Sequence, residues 1–383
     1  MDFQLTEEQT LLRDMARDFA EAELKPRAAK HDKQEALDPE VLTMMGELGL
    51  MGLTIAEQYG GAGMGNLELA IVLEEINRGC AATGVTLSVH NSLTGSPVTK
   101  WGTDEQKAEW LPKLASGEII GAYALTEAGS GSDAAALSTK AERDGDDWIL
   151  NGNKIWVTSG SMAGLVVVYA RTDPTVSNSK GISAFLVDTN LEGCKVGKKE
   201  KKVGIRGSPA TEIELVDCRV PARQVLGELN RGFPIALDTL DGGRIGIAAQ
   251  SVGIGLACLE AALEYSSVRK QFGKTINGFQ AIQWKLADMS TRIDASRMLT
   301  HKAAWLRDRA EPCGRAAAQA KLAASTTANY CADESLQIHG GAGYTYHFEV
   351  ERLFRDARIT EIYEGATDIQ RLVIARSLMV QGV

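Results

Sequence analysis

Trp148-Ile-Leu-Asn-Gly-Asn-Lys-Ile-Trp-Val-Thr158 joins two apolar, β-branched and aromatic runs through an Asn-Gly pair. Asn and Gly tolerate the positive φ angles of a tight turn, so the spacing predicts a β-hairpin turning at Asn151-Gly152. Strand-length apolar runs follow at Leu165 to Ala170 and Ile182 to Val187, and Thr211 to Val216 alternates. Helical signals flank this block on both sides. Thr6-Glu-Glu-Gln9 and Thr103-Asp-Glu-Gln106 have the form of capping boxes ahead of apolar runs, and Gly60-Gly-Ala-Gly63 breaks the helices between them. After Gly227 a helical period returns, with long helices expected over Arg244 to Val268, Gln280 to Arg309 and Arg315 to Ile338 and a shorter one starting near Glu364. The chain therefore reads as α+β: an N-terminal α domain (1–121), a middle β-barrel or sandwich-like domain (122–226) and a C-terminal four-helix bundle (227–383).

The 383 residues hold 44% apolar and 24% charged side chains, ordinary values for a globular protein and foreign to a disordered or fibrous one. A net charge of −9 argues against binding nucleic acid, which needs a basic surplus. Six cysteines at 80, 194, 218, 258, 313 and 331 form no C-x-x-C pair, so no zinc or redox motif is read and a reducing compartment is expected. The five histidines (31, 90, 301, 339, 347) lack metal-ligand spacing, so no metal is expected. The N-terminus has neither an apolar signal core nor a transit pattern, which points to a bacterial cytoplasmic protein or a trimmed organelle-matrix form. Ile245 to Leu259, the least polar long stretch, reads as a buried helix and not a membrane span.

P-loop, complete G-x-G-x-x-G, H-E-x-x-H and G-x-S-x-G motifs are absent. Four other clusters carry possible chemistry. Tyr123-Ala-Leu-Thr-Glu-Ala-Gly-Ser-Gly-Ser-Asp133 offers backbone N–H groups and hydroxyls to an anion or a flat ring edge, and by itself is equally an ordinary loop. In Lys154-Ile-Trp-Val-Thr-Ser-Gly160, a Trp and a Thr two residues apart in a strand share a face, suited to stacking on a planar cofactor or to a core. Gln337-Ile-His-Gly-Gly-Ala-Gly343 ends a helix, where glycines also serve as caps. Ile362-Tyr-Glu-Gly-Ala-Thr-Asp368 sets a carboxylate beside Gly before an apolar helix, as a cap or as a general base.

The four together, in this order, are far more specific than any alone. With LDGGRIGIAAQSVGIG, VRKQFGK, FQAIQWKLADM and RDARITEIYEGATDIQR, they make the whole chain resemble the acyl-CoA dehydrogenases, flavoproteins that desaturate acyl-CoA thioesters between Cα and Cβ, and most of all their short-chain, butyryl-CoA type. The resemblance implies FAD as cofactor, electron-transferring flavoprotein as electron acceptor, and a homotetramer built as a dimer of dimers. It implies Glu364 as the catalytic base. Tyr123, Ala124, Leu125 and Thr126 would line the flavin, and Trp156, Val157 and Thr158 would flank it. Ser132 would lie near FAD or substrate. Arg269, Phe272, Gln280, Gln337, Gly340 and Gly341 would reach the FAD of a neighbouring subunit, and Ala366, Thr367 and Asp368 would also lie at the cofactor. Asp241, Arg244, Tyr363 and Gly365 would contact the substrate, although Arg244 also reads as a plain ion-pair residue.

Two features sharpen the resemblance. Long-chain and isovaleryl-type members carry their base where this chain has Gly243, so the short- and medium-chain arrangement is expected. Gly84-Val-Thr-Leu-Ser-Val-His-Asn-Ser-Leu93 lacks the Arg with which glutaryl-CoA dehydrogenases hold a distal carboxylate, so a dicarboxylyl substrate is not expected. One departure stands out: most relatives read Gly-Thr after the base, and this chain reads Gly365-Ala366, which removes a hydroxyl that helps hold FAD. Two other readings compete: an oxidase or flavin monooxygenase of the same fold, and an acyl-CoA-binding scaffold without chemistry. Retention of Glu364 speaks against the monooxygenase, and retention of Glu364, Trp156 and Thr158 against the scaffold.

Overall fold

The structure, a computed structural model, describes residues 4–176 and 178–382. Both capping boxes form: the Thr6 and Thr103 hydroxyls accept from the backbone N–H of Gln9 and Gln106, whose side chains accept from the threonine N–H groups. The first starts α1 (Glu7–Phe19), which runs through a π-helical turn (Ala20–Leu24) into α2 (Lys25–Gln34). Then come α3 (Pro39–Glu47), α4 (Asn66–Gly79), α5 (Ala81–Ser88), a second π-helical turn (Val89–Gly95), α6 (Ser96–Trp101) and α7 (Asp104–Ala115).

Among the described residues, eight strands make one mixed sheet in the order β6-β7-β3-β2-β4-β5-β8, with β1 parallel to β4. They are β1 (Ile120–Ala124), β2 (Lys140–Asp144), β3 (Asp147–Thr158), β4 (Ala163–Arg171), β5 (Ile182–Asp188), β6 (Cys194–Lys199), β7 (Ala210–Pro221) and β8 (Val225–Leu226). The pleat sends alternate residues to opposite faces. On β4, Val166, Val168 and Ala170 join side chains from β1, β2, β3, β5 and β7 in one buried cluster, so the sheet curls around its own core. Leu165, Val167 and Tyr169 pack the other way, against Trp110 and Leu111 of α7 and Ile235.

The expected hairpin lies elsewhere. β3 runs through Asn151-Gly152, and β2 turns into β3 at Gly145-Asp146, with Gly145 at φ +61°. Tertiary contacts override the Asn-Gly signal. Asn151 Nδ2 donates to Asp217 Oδ1 (3.1 Å) and Asn151 Oδ1 accepts from Asp217 N–H (2.8 Å), which ties it to β7. A Cβ on Gly152 would collide with Thr139. The pair marks a register slip between β3 and β7, a bulge and not a turn.

Helices resume with α8 (Gly232–Val268), α9 (Gln280–Asp308), α10 (Gly314–His339), α11 (Val350–Ile359) and α12 (Thr367–Gln381); β9 (Lys270–Gln271) and β10 (Lys274–Thr275) form a small hairpin between α8 and α9. α8 begins at Gly232, well before the expected Arg244. It is long and apolar enough to cross a membrane, but 78% of its apolar window is buried inside the protein. Its glycines permit that burial: a Cβ at Gly246 would strike Ser88, and one at Gly253 the backbone of Glu74. α12 starts at Thr367, three residues after Glu364, because Glu364 (φ +49°) and Gly365 (φ +94°) are left-handed and cannot join a right-handed helix. One core runs from Leu12 of α1 through α4, α5 and α8–α10 to Ala357 of α11, so the N- and C-terminal helices pack as one body.

Candidate active site

Glu364 sits in the loop between α11 and α12, held over α8 and α10. The residue is half-buried, but its Oε2 is shut off from solvent and has no hydrogen-bond partner. Facing it is Gly243 of α8. A Cβ there would fall within contact of Glu364 Oε2 and 2.8 Å from Leu93 Cδ2, so the missing side chain is what leaves the carboxylate its space. Burial pushes the Glu364 carboxyl up to about 7, against the pull of the Lys321 ammonium and the Arg244 guanidinium. A group half-ionised near neutrality can take up or give back a proton.

The loop is anchored from two helices. Gly365 O accepts from Lys321 Nζ of α10 (2.8 Å) and from Gln370 Nε2 of α12 (2.7 Å). Burial lowers the Lys321 ammonium to about 8. Arg244 is 7% exposed and pairs with Asp241 at 2.6 Å, the i,i+3 ion pair its position allows. The Tyr363 hydroxyl is engaged with Gln250 of α8. Ala366 is the N-cap of α12 without a side-chain cap bond, and the Thr367 hydroxyl donates back to Glu361 O (3.1 Å). Asp368 is exposed and pairs with Arg371.

On the sheet side, Tyr123 and Ala124 end β1, and Leu125 and Thr126 lead into the Gly/Ser loop. The Tyr123 hydroxyl is shielded without a partner, and burial raises it well above its ordinary range, Tyr169 and Glu364 adding to the effect. Thr126 O accepts from Ile155 N–H (2.9 Å), which ties the loop to the Lys154–Gly160 segment. Fully buried Lys154 donates to Leu125 O (3.1 Å) and Glu127 Oε1 (2.7 Å), and Glu127 also accepts from the N–H and hydroxyl of Ser138 and of Thr139. Burial alone would raise the Glu127 carboxyl; the ammonium and these donors hold it at about 2. Beyond this anchor the loop is open: Ser132 is exposed, and nothing lies within 4 Å of a Cβ at Gly129 or Gly131. Trp156 sits on a bulge at φ +59° with 57% of its surface exposed, Thr158 is half-buried beside it, and Val157 between them points into the core.

The remaining expected cofactor residues gather elsewhere. Arg269, Gly340 and Gly341 line a cavity of about 390 Å³ at the C-terminal end of α8, where Tyr265 stacks on His339 (4.2 Å). Gln337 and Gln280 lie exposed at adjoining helix ends, and Phe272, 93% exposed, tips the β9–β10 hairpin. Arg269, the C-cap of α8, lies 26 positions beyond Gly243, about 39 Å at helical rise. A second cavity, about 710 Å³, opens between α8, α9, α10 and α12 and is lined by Asp241, Arg244, Lys302 and Arg315.

Four participants carry no role in the sequence motifs: Lys321, Gln370, Leu93 and the Lys154–Glu127 pair. The lysines left a signal. Lys321 lies on the stripe Ala317, Lys321, Ala324, Ala328, which is buried throughout, and Lys154 has the inward parity of Trp148 and Leu150.

Sequence models described as the acyl-CoA dehydrogenase N-terminal, middle and C-terminal domains match residues 6–118, 122–218 and 230–379. The chain is 49% identical over 98% of its length to the mitochondrial short-chain specific acyl-CoA dehydrogenase of Bos taurus, covering 91% of that protein. It is 46% identical, over 98% of itself and 99% of the relative, to the short-chain specific acyl-CoA dehydrogenase of Clostridium acetobutylicum. The solved structure of butyryl-CoA dehydrogenase from Megasphaera elsdenii superposes with a TM-score of 0.97 at 41% identity, over 99% of this chain and all of that one. Three successive domain matches that span nearly every residue, together with a superposition this close, place the chain in the acyl-CoA dehydrogenase family of oxidoreductases.

Proposed function

We propose that this protein catalyses the FAD-dependent α,β-dehydrogenation of short-chain acyl-CoA thioesters to trans-2-enoyl-CoA, with Glu364 taking the α-proton. The observation that carries this reading is the Glu364 carboxylate: shielded, unpartnered at Oε2, raised to about 7, and facing a helix position with no side chain. An α-proton next to a thioester is too weakly acidic for a carboxylate in water, and desolvation strengthens the base. Oε2 receives the proton, and the bare position at Gly243 leaves the carboxylate the room to do so. The left-handed backbone at Glu364 and Gly365 sets where the carboxylate points.

Bound FAD supplies the acceptor for the hydride that leaves Cβ. The residues present fit that group. Trp156 presents an exposed indole beside Thr158, the Gly129–Gly131 backbone is free of crowding, and the buried Lys154–Glu127 anchor keeps the Tyr123–Thr126 edge in place. Arg244, Lys302 and Arg315 around the larger cavity suit the phosphates of CoA through charge-assisted hydrogen bonds. Arg269, Gln280, Gln337, Gly340 and Gly341 lie too far along α8 to share one cofactor with the same chain's Glu364, which supports their reaching a neighbour's FAD within a homotetramer, as does the exposed Phe272. Electron-transferring flavoprotein as acceptor and a cytoplasmic or matrix location rest on the family.

The short-chain preference is supported by the names of the relatives. The test is an anaerobic titration of purified protein with butyryl-CoA, following the visible flavin band, with Glu364→Gln alongside. Bleaching in the wild type and not in Glu364→Gln is expected. A protein that takes up no FAD, or a Glu364→Gln variant that bleaches like the wild type, sinks the reading.

A further inference from the structure

Lys321 is a buried ammonium with no carboxylate bonded to it. It sits at zero exposure in the middle of an alanine stripe of α10, and among the described residues its hydrogen bond goes to one acceptor, Gly365 O. Burying an ammonium costs several kcal/mol, and an apolar residue of similar length commonly serves stability as well or better. Packing alone therefore does not account for a lysine here.

Its target does. Gly365 O takes two donors, Lys321 Nζ at 2.8 Å and the fully buried Gln370 Nε2 at 2.7 Å. The carbonyl so clamped belongs to the residue after Glu364, whose φ of +49° costs an L-residue about 1–2 kcal/mol and persists only where the surroundings enforce it. The charged and titratable groups around the carboxylate come from every packed element: Lys321 from α10, Arg244 with its partner Asp241 from α8, the Tyr123 hydroxyl from β1, and Tyr363 and Glu361 from its own loop. Asp241 offsets Arg244, and the tyrosines are neutral, so Lys321 is the cation beside Glu364 whose charge no bonded carboxylate cancels.

We infer that Lys321 is a positioning residue for the base: with Gln370 it fixes the Gly365 carbonyl, and so the aim of Glu364, and it sets an ammonium charge beside that carboxylate. This rests on Glu364 being the base. Two roles in one side chain separate under substitution. Lys321→Gln keeps a donor for Gly365 O and removes the charge. Gln370→Met removes a donor and leaves the charge.

The experiment is the pH profile of kcat/KM and kcat with butyryl-CoA for FAD-loaded wild type, Lys321→Gln, Lys321→Arg and Gln370→Met. Visible spectra and thermal midpoints verify folding and cofactor content. For Lys321→Gln the acid limb moves up by about one pH unit, roughly a tenfold loss at pH 6, with KM changed by less than about threefold. Lys321→Arg, which keeps the charge, returns the limb toward the wild-type position. Gln370→Met lowers kcat at every pH without moving the limb. A limb unmoved in Lys321→Gln, or moved equally by Gln370→Met, overturns the inference. Should Lys321→Gln not fold, the Lys321→Arg and Gln370→Met profiles still decide: both keep the charge, so an acid limb moved up by about one pH unit in either refutes the charge role. Glu364→Gln separates the two levels. If it keeps activity, the base reading fails. If it loses activity while Lys321→Gln keeps the wild-type limb, only the Lys321 inference falls.

Discussion

Lys154→Met should be among the most damaging single changes outside the reaction centre. The lysine is fully buried, and its ammonium joins three segments: Leu125 O after β1, Glu127 at the root of the Gly/Ser loop, and β3 itself. Met fills the volume but leaves Leu125 O without a donor and the Glu127 carboxylate without a countercharge, although its four bonds from Ser138 and Thr139 remain. Removing one partner of a buried ion pair costs about 3–5 kcal/mol, and the four surviving bonds favour the lower end of that range. The second substitution, Glu127→Gln, removes the stranded charge and keeps one acceptor oxygen, enough for two of those four donors. The double variant should therefore recover at least about half of the loss, a coupling of roughly 1.5 kcal/mol or more. The pH dependence has a sign. In the wild type the Glu127 carboxyl sits at about 2, below its unfolded value, so its stabilising contribution is present above that unfolded value and is lost as pH falls toward 2. Without Lys154 the carboxyl moves up, protonates sooner and relieves the stranded charge, so the penalty in Lys154→Met shrinks between pH 7 and pH 5. The assay is urea unfolding at fixed protein and FAD concentration, read as the midpoint and as FAD fluorescence on release, since bound cofactor shifts the midpoint by mass action. A Lys154→Met variant within about 1 kcal/mol of wild type at pH 7, or a deficit that does not shrink at pH 5, would refute the argument.

Three further outcomes follow from the site. With the Glu364 carboxyl at about 7, wild-type kcat/KM should fall about tenfold per pH unit below pH 6, where the base is protonated; a profile flat from pH 5 to 8 in stopped-flow reduction contradicts this. Gly243→Ala puts a methyl group against Glu364 Oε2 and Leu93, so kcat with butyryl-CoA should drop at least about tenfold while far-UV circular dichroism is retained; wild-type turnover would show that the carboxylate does not work over that position. Ala366→Thr, which adds the hydroxyl that the family resemblance implies at this position, should tighten FAD binding by roughly fivefold, the worth of one hydrogen bond near 1 kcal/mol; an unchanged FAD dissociation constant counts against a role for that position.

Where sequence alone reads this molecule well, a repeated physical pattern does the work. The period of apolar residues carries α9 and α10 to within about a residue of their observed ends, and the capping boxes start α1 and α7 where they are expected. Where it misleads, one local signal is outweighed by contacts from distant residues. Asn151-Gly152 has turn chemistry but is bound into β7 by Asp217, and Gly152 is needed for closeness to Thr139. The helix expected from Arg244 begins at Gly232, so Gly242-Gly243 lies inside α8, where the bareness of Gly243 serves the packing of the Glu364 loop.

The proposed base shows the same limit from the other side. Glu364 is legible as a carboxylate beside Gly in a resembling motif, yet nothing local says that it is left-handed, that its Oε2 lacks a partner, or that an ammonium 43 positions earlier holds the next carbonyl. What the sequence does display is a misfit. Lys321 breaks an alanine stripe and Lys154 takes an inward strand parity, and burying either ammonium costs several kcal/mol unless something specific offsets it. Each touches the carbonyl of a segment at the candidate site: Gly365 beside Glu364, Leu125 before the Gly/Ser loop. A cation on a buried face is thus a pointer to backbone that must not move. The pointer is visible in the residue pattern, because it is a local break in an apolar period; the backbone it holds is not, because that contact is made only when distant segments fold together.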